Sequence, residues 1–126
     1  MEVSLLMIIQ NWRAVAPAIV HQAGIDYKLL LGQERADPDN RFACMEGMLY
    51  VAYAMLQPGR AYEAHSHTDH EEVYFIIEGR GSITLDGQTS EIRDGDAIYI
   101  GKGQVHSIAN TDQDSFLRFL AFSSQC

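Results

Sequence analysis

From Met48 onward the chain alternates short apolar runs with turn residues. The runs are Met48–Gln57, Tyr62–His67, Glu72–Ile77, Ser82–Leu85, Gln88–Ile92, Ala97–Ile100, Val105–Ala109 and Ser115–Phe122. None keeps a helical period. Short strands at this regular spacing predict an all-β sandwich or barrel. Asp86-Gly87 separates two runs by two residues that both tolerate positive φ, so a type I′ hairpin turn is expected there.

The first ~25 residues follow another pattern. Trp12 to Val20 is apolar but contains Pro17, which argues against a long helix. It predicts an N-terminal arm or short helix, anchored by Trp12 on the main body. Tyr27 to Leu31 reads as a strand and Arg35 to Arg41 as a loop. Glu72–Ile77 and Ser115–Phe122 are apolar on both parities, so both of their faces need cover. One face meets the barrel interior. The other meets the arm or a second subunit, which predicts a homodimer.

Length and charge narrow the partners. With 126 residues, the chain is expected to be one domain, residues 1–126, its barrel core at about 48–122. Acidic residues outnumber basic ones 17 to 9, a formal charge of -8 that disfavours phosphate backbones and predicts no nucleic-acid partner. No apolar run approaches the ~20 residues of a membrane span. The apolar start, Val3 to Ile9, lacks the features of a signal peptide, and translation could start at Met1 or Met7. Cys44 and Cys126 form no C-x-x-C pair, so a cytoplasmic location is expected.

Three of the five histidines, His65, His67 and His70, cluster beside Glu71 and Glu72. On a strand His65 and His67 share a face. Neutral imidazole is the commonest protein metal ligand, and two imidazoles with a carboxylate suit Fe, Mn, Co or Ni. His70 is expected in the turn between strands, as a solvated loop histidine.

Gly59 to Gly79, with His65, His67 and Glu72, resembles the first cupin motif, G-x5-H-x-H-x3–4-E-x6-G, at every fixed position. Gly95 to Asn110, with His106, resembles the second, G-x5-P-x-G-x2-H-x3-N, except that Gly101 replaces the proline. Glu72 rather than Glu71 fits because only Glu72 leaves six residues before Gly79. The resemblance implies a small single-domain cupin, a jelly-roll β-barrel of the conserved-barrel type. It also implies one divalent transition metal (Fe, Mn, Ni, Co or Zn) held by His65, His67, Glu72 and His106. Glycine in place of proline predicts a looser loop before His106.

Four protein donors saturate a tetrahedral zinc, whereas an octahedral ion keeps two open positions. The implied function is metal-dependent catalysis on a small oxygen-bearing metabolite, of dioxygenase, isomerase, decarboxylase or lyase type. The alternative is a non-catalytic metal- or small-molecule-binding or sensor module. Parity offers pocket residues. Tyr74 and Ile76 share the Glu72 face, Gln104 and Ile108 flank His106, and Tyr53 and Met55 share a face of an adjacent run. Tyr53 and Tyr74 are the catalytic candidates, because a buried phenol needs a hydrogen-bond partner. Arg118, alone charged in its strand, is expected to reach solvent.

Overall fold

The computed structural model describes residues 7–35 and 37–126. Met1 and residues 3–6 of the Val3–Ile9 segment lie outside the described residues. Among the described residues ten strands follow a 3-10 turn, Trp12–Ala14. They are β1 (Ala18–Val20), β2 (Gly24–Gly32), β3 (Ala43–Met45), β4 (Met48–Leu56), β5 (His70–Glu78), β6 (Arg80–Leu85), β7 (Gln88–Arg93), β8 (Ala97–Ile100), β9 (His106–Asn110) and β10 (Leu117–Gln125). The larger sheet runs β1-β2-β4-β10-β5-β8, with β3 beside β2, and the smaller runs β7-β6-β9. Their inner faces meet in one core, a jelly-roll barrel.

Local chemistry explains the elements. Asn11 Oδ1 accepts from the backbone N–H of Arg13 at 2.9 Å and opens the 3-10 turn. Asp86 and Gly87 both have positive φ, 47° and 84°, as the hairpin between β6 and β7 requires. Gly81 is needed for close approach, because a Cβ there would collide with the carbonyl of Ala109. Phe119, Leu56, Ile76, Ile100, Ile108 and Leu117 are almost wholly buried. Each contributes roughly 1.5–3 kcal/mol by burial, which makes the apolar end of the barrel the main source of stability.

Tyr62–His67 does not form the strand its pattern predicted. It touches β9 only through isolated bridges, Ala61 to Ala109 and His65 to His106. Four residues here span three on β9, and the extra residue breaks the ladder. Ser107 Oγ donates to the Tyr62 carbonyl at 2.7 Å, within this irregular stretch.

The arm covers a different strand from those singled out by their two apolar faces. The Trp12 ring packs against Tyr27 and Tyr53, with centroids 5.1 and 4.9 Å away, on the outside of β2 and β4. The outer face of β5 keeps Phe75 and Ile77 exposed, near Tyr99 of β8. Among the described residues no helix is long and apolar enough to cross a membrane.

Candidate metal centre

Strand pairing places the site. Glu72 of β5 and Tyr50 of β4 are both paired with Ser123 of β10, so three inward side chains stand abreast. Tyr50 donates its hydroxyl hydrogen to Glu72 Oε2. His65 and His106 face each other through two backbone hydrogen bonds, 3.0 and 2.8 Å. His67 is tied by its carbonyl, which accepts from Gly103 N–H at 2.7 Å. These constraints bring His65, His67, Glu72 and His106 to one end of the barrel. Glu72 Oε1 lies 3.1 Å from His67 Nε2 and 3.4 Å from His106 Nε2.

The ring nitrogens facing away from the centre are also held. His65 Nδ1 meets the Glu63 carbonyl at 2.9 Å, and His106 Nδ1 meets the Gln104 carbonyl at 3.1 Å. A carbonyl only accepts, so each Nδ1 carries the proton and each Nε2 presents a lone pair. Such outer partners orient metal-binding imidazoles. The Nε2 atoms of His65 and His106 and Oε1 of Glu72 are buried without a hydrogen-bond partner among the described residues. Lone pairs facing one another in a buried space call for a cation between them.

The electrostatics suit a cation in that role. Burial pushes the His65 and His67 imidazoles below their ordinary value, which leaves them neutral at pH 7. Burial alone would raise the Glu72 carboxyl. A proton or other positive charge on the His106 side and the Tyr50 hydroxyl outweigh it and hold the carboxyl down at about 2. The centre therefore offers neutral imidazoles and an ionised carboxylate, the protonation states a divalent metal needs. The donor set fits an ion of the kind the sequence implies.

The other pocket residues divide. Tyr74 is fully buried, and its ring stands edge-on to His106 with centroids 6.4 Å apart. Ile76 and Ile108 are packed in the core rather than along the cavity. Tyr53 and Met55 correct the parity assignment, because they lie on the outer face of β4. There Arg118 Nη1 donates to Tyr53 Oη at 2.9 Å and lies 2.9 Å from Met55 Sδ. Both parities of β4 are apolar, so its pattern did not reveal which face turned inward. Arg118 is correspondingly half-buried on the outside, with Nε 3.1 Å from Glu78.

Two further expectations change. Gln104 does not reach the centre, since its side-chain oxygen accepts from Gly101 N–H at 2.7 Å. A proline at 101 has no such hydrogen. Glycine permits a side-chain tie across the loop and offsets the expected looseness. His70 is not a solvated loop residue. It opens β5, is only 7% exposed and packs its ring 4.1 Å from that of His67.

The structure adds residues that sequence reasoning missed. A cavity of about 40 Å³ adjoins Glu72. Ala54 of β4 and Ala121 of β10 line it with side chains too small to fill the space, and Tyr74 of β5 stands beside Ala121. His21, Asp26, Lys28, Tyr50 and Tyr62 also line it. Asp26 is buried and paired with Lys28, whose ammonium lies 4.4 Å from the Tyr50 ring centre. Burial pushes the phenols of Tyr50, Tyr62 and Tyr74 upward, so they remain neutral donors. Long-range pairing assembles this wall, and only the inward period of β2, with Asp26 and Lys28 two apart, hinted at it.

Comparison with known proteins agrees with this geometry. The oxalate-binding protein of Thermotoga maritima is 36% identical over 66 residues, 52% of this chain and 54% of that protein. The chain thus spans about half the length of that curated relative. A crystal structure of a predicted oxalate decarboxylase from Thermotoga maritima superposes with a TM-score of 0.77 at 24% identity, over 94% of this chain and 99% of the other. The polyketide cyclase RemF from Streptomyces resistomycificus gives 0.72 at 22% identity, over 96% of this chain and 80% of its own. Both likenesses speak for the jelly-roll fold. The family pattern described as Cupin domain matches residues 52–122, from the middle of β4 into β10. That match spans both histidine-bearing segments and more than half of the chain, and the chain belongs to the cupin domain family.

Proposed function

We propose that the barrel holds one divalent transition metal on His65, His67, Glu72 and His106 and uses it on a small, oxygen-bearing acid that chelates the ion. The observation that carries this reading is the set of buried, unpartnered donor atoms on His65, Glu72 and His106. The metal would supply a Lewis-acid or redox centre with two positions open to ligand. The chain's own residues do the rest. Tyr50 holds Glu72 in place, the neutral phenols of Tyr62 and Tyr74 offer hydrogen bonds along the cavity wall, and Lys28 attracts an anion. A cavity of about 40 Å³ favours a ligand of few atoms. The 36% identity to an oxalate-binding protein supports a short dicarboxylate as the first ligand to test.

Metal-dependent dioxygenase, isomerase, decarboxylase or lyase chemistry all fit this centre. Binding without turnover is the second reading, favoured by that relative's description as a binding protein. The deciding experiment loads the protein with Co(II) and adds oxalate. A changed visible spectrum supports ligand binding at the metal, and loss of oxalate separates catalysis from storage. Protein that takes up no metal after metal-replete expression refutes the proposal. The reading includes a homodimer, in which a second copy covers Phe75 and Ile77, and no nucleic-acid partner, given the charge of -8. Sedimentation measures the first.

A further inference from the structure

His70 belongs to the same end of the barrel but not to the four-donor set. Its Nδ1 lies 2.7 Å from Asp69 Oδ1. An ionised carboxylate only accepts, so Nδ1 carries a proton, and in the neutral imidazole Nε2 keeps the lone pair. The Asp69 backbone carbonyl is anchored in turn by the Cys126 N–H at 3.2 Å. A carboxylate behind an imidazole is the arrangement that orients and strengthens a metal-binding histidine. His70 Nε2 is buried without a partner among the described residues, as is Glu72 Oε1.

Donor atoms of His67, His70 and Glu72 lie within 4.8 Å of one another, as do those of His65, His67 and His106. Donors about 2.1 Å from a shared ion stand about 3.0–3.4 Å apart when adjacent, so side-chain shifts on the order of an ångström close either group around one. We infer that His67, His70 and Glu72 form a second seat for a divalent transition metal, adjoining the first. The inference rests on the reading that this end of the barrel binds metal. Both seats draw on His67, and a neutral imidazole has one lone pair to give, so they fill one at a time. The second seat offers two imidazoles and one carboxylate. An octahedral ion there keeps three positions for water or a chelating ligand, where the four-donor set keeps two.

Co(II) titration followed by visible absorption tests the second seat. The variant H65A/H106A removes both imidazoles that the first seat does not share and leaves His67, His70 and Glu72 intact. It is expected to bind one Co(II) per chain, more weakly than the wild type. Adding H70A should weaken binding at least about 100-fold further, beyond the 10–100-fold typical of losing a mere outer partner. Equal binding by the double and triple variants overturns the inference, as does a folded double variant that binds nothing while the wild type binds. A wild type without Co(II) fails the reading of the whole centre instead. Circular dichroism establishes folding. If alanine disrupts the barrel, H65Q/H106Q with and without H70A makes the same comparison.

Discussion

The ring of His21 lies flat on the ring of His65, with centroids 3.7 Å apart and planes 12° apart. His21 sits in the turn between β1 and β2 at a φ of 50°, and its neighbour Gln22 also has positive φ. The turn is tied down on both sides. Glu63 N–H donates to the His21 carbonyl at 3.1 Å, and Gln22 Nε2 donates to Glu63 Oε2 at 2.8 Å. One face of His65 is therefore set by the arm, far away in sequence. Replacing His21 by alanine should weaken metal binding by about tenfold, the lower end of the effect of orienting partners. His21→Phe, which keeps a flat ring, should retain most of the affinity. Competition titration with a chromophoric chelator measures both, and equal affinity in the alanine variant would remove His21 from the site.

Tyr50 holds the second oxygen of Glu72. A hydrogen bond to a charged group contributes about 1.5–3 kcal/mol. Tyr50→Phe should lower the stability of the metal-free protein by about that amount in urea denaturation, and should weaken metal binding as well. The Glu72 carboxyl, held at about 2, should also move toward its ordinary 4.5. Carboxylate-detected NMR titration reads the shift.

Acid should act on the metal-free protein over a defined window. Burial, helped by nearby His65, lowers His21 from 6.5 to about 4. The unfolded chain therefore takes up a proton below about 6.5 that the folded chain refuses. Stability is full above that pH and falls on acidification toward 4. Burial of His65 and His67 acts in the same direction. Glu72, lowered from 4.5 to about 2, adds a second loss between those values. Urea midpoints measured from pH 7.5 down to 4.5 should decline, and a flat profile contradicts the burial of neutral imidazoles. Bound metal should leave over the same acidic range, because protons compete for its ligands.

The correction on β4 has its own test. Tyr53 meets Arg118 on the outside of the barrel, so Tyr53→Phe should leave metal affinity unchanged. Tyr50→Phe should not. A matched pair of titrations distinguishes inner from outer face, and an effect of Tyr53→Phe on the metal would reverse the assignment.

Asn110 is a structural member of the second histidine-bearing segment. Its side-chain amide donates to the carbonyls of Leu56 and Ser115, and its oxygen accepts from Asp112 N–H. Asn110→Ala leaves those backbone groups without partners and should cost about 2–4 kcal/mol. Thermal unfolding should show the loss, with little change in metal affinity for the molecules that remain folded.

The all-β barrel class, the Asp86-Gly87 hairpin and the spacing of His65, His67, Glu72 and His106 were legible in the chain because each rests on local rules, whereas the jelly-roll topology was implied by the resemblance of the two motifs to the cupins. Alternation marks a strand, a glycine permits a turn, and fixed spacing presents side chains in order. The inner face of β4 was not legible, since both its parities are apolar and pairing with β10 decides between them. The Tyr62–His67 run reads as a strand, yet one extra residue against β9 breaks its ladder. His70 reads as a loop residue until the pairing of Gln125 with it extends β5 to its position. The cavity wall of Asp26, Lys28 and Tyr50, and the stacking of His21 on His65, join residues up to 44 positions apart (His21 to His65). Local preference has no term for such distances. Only closure of the barrel, driven by burial of its apolar end, brings those groups together, and with them the candidate metal centre.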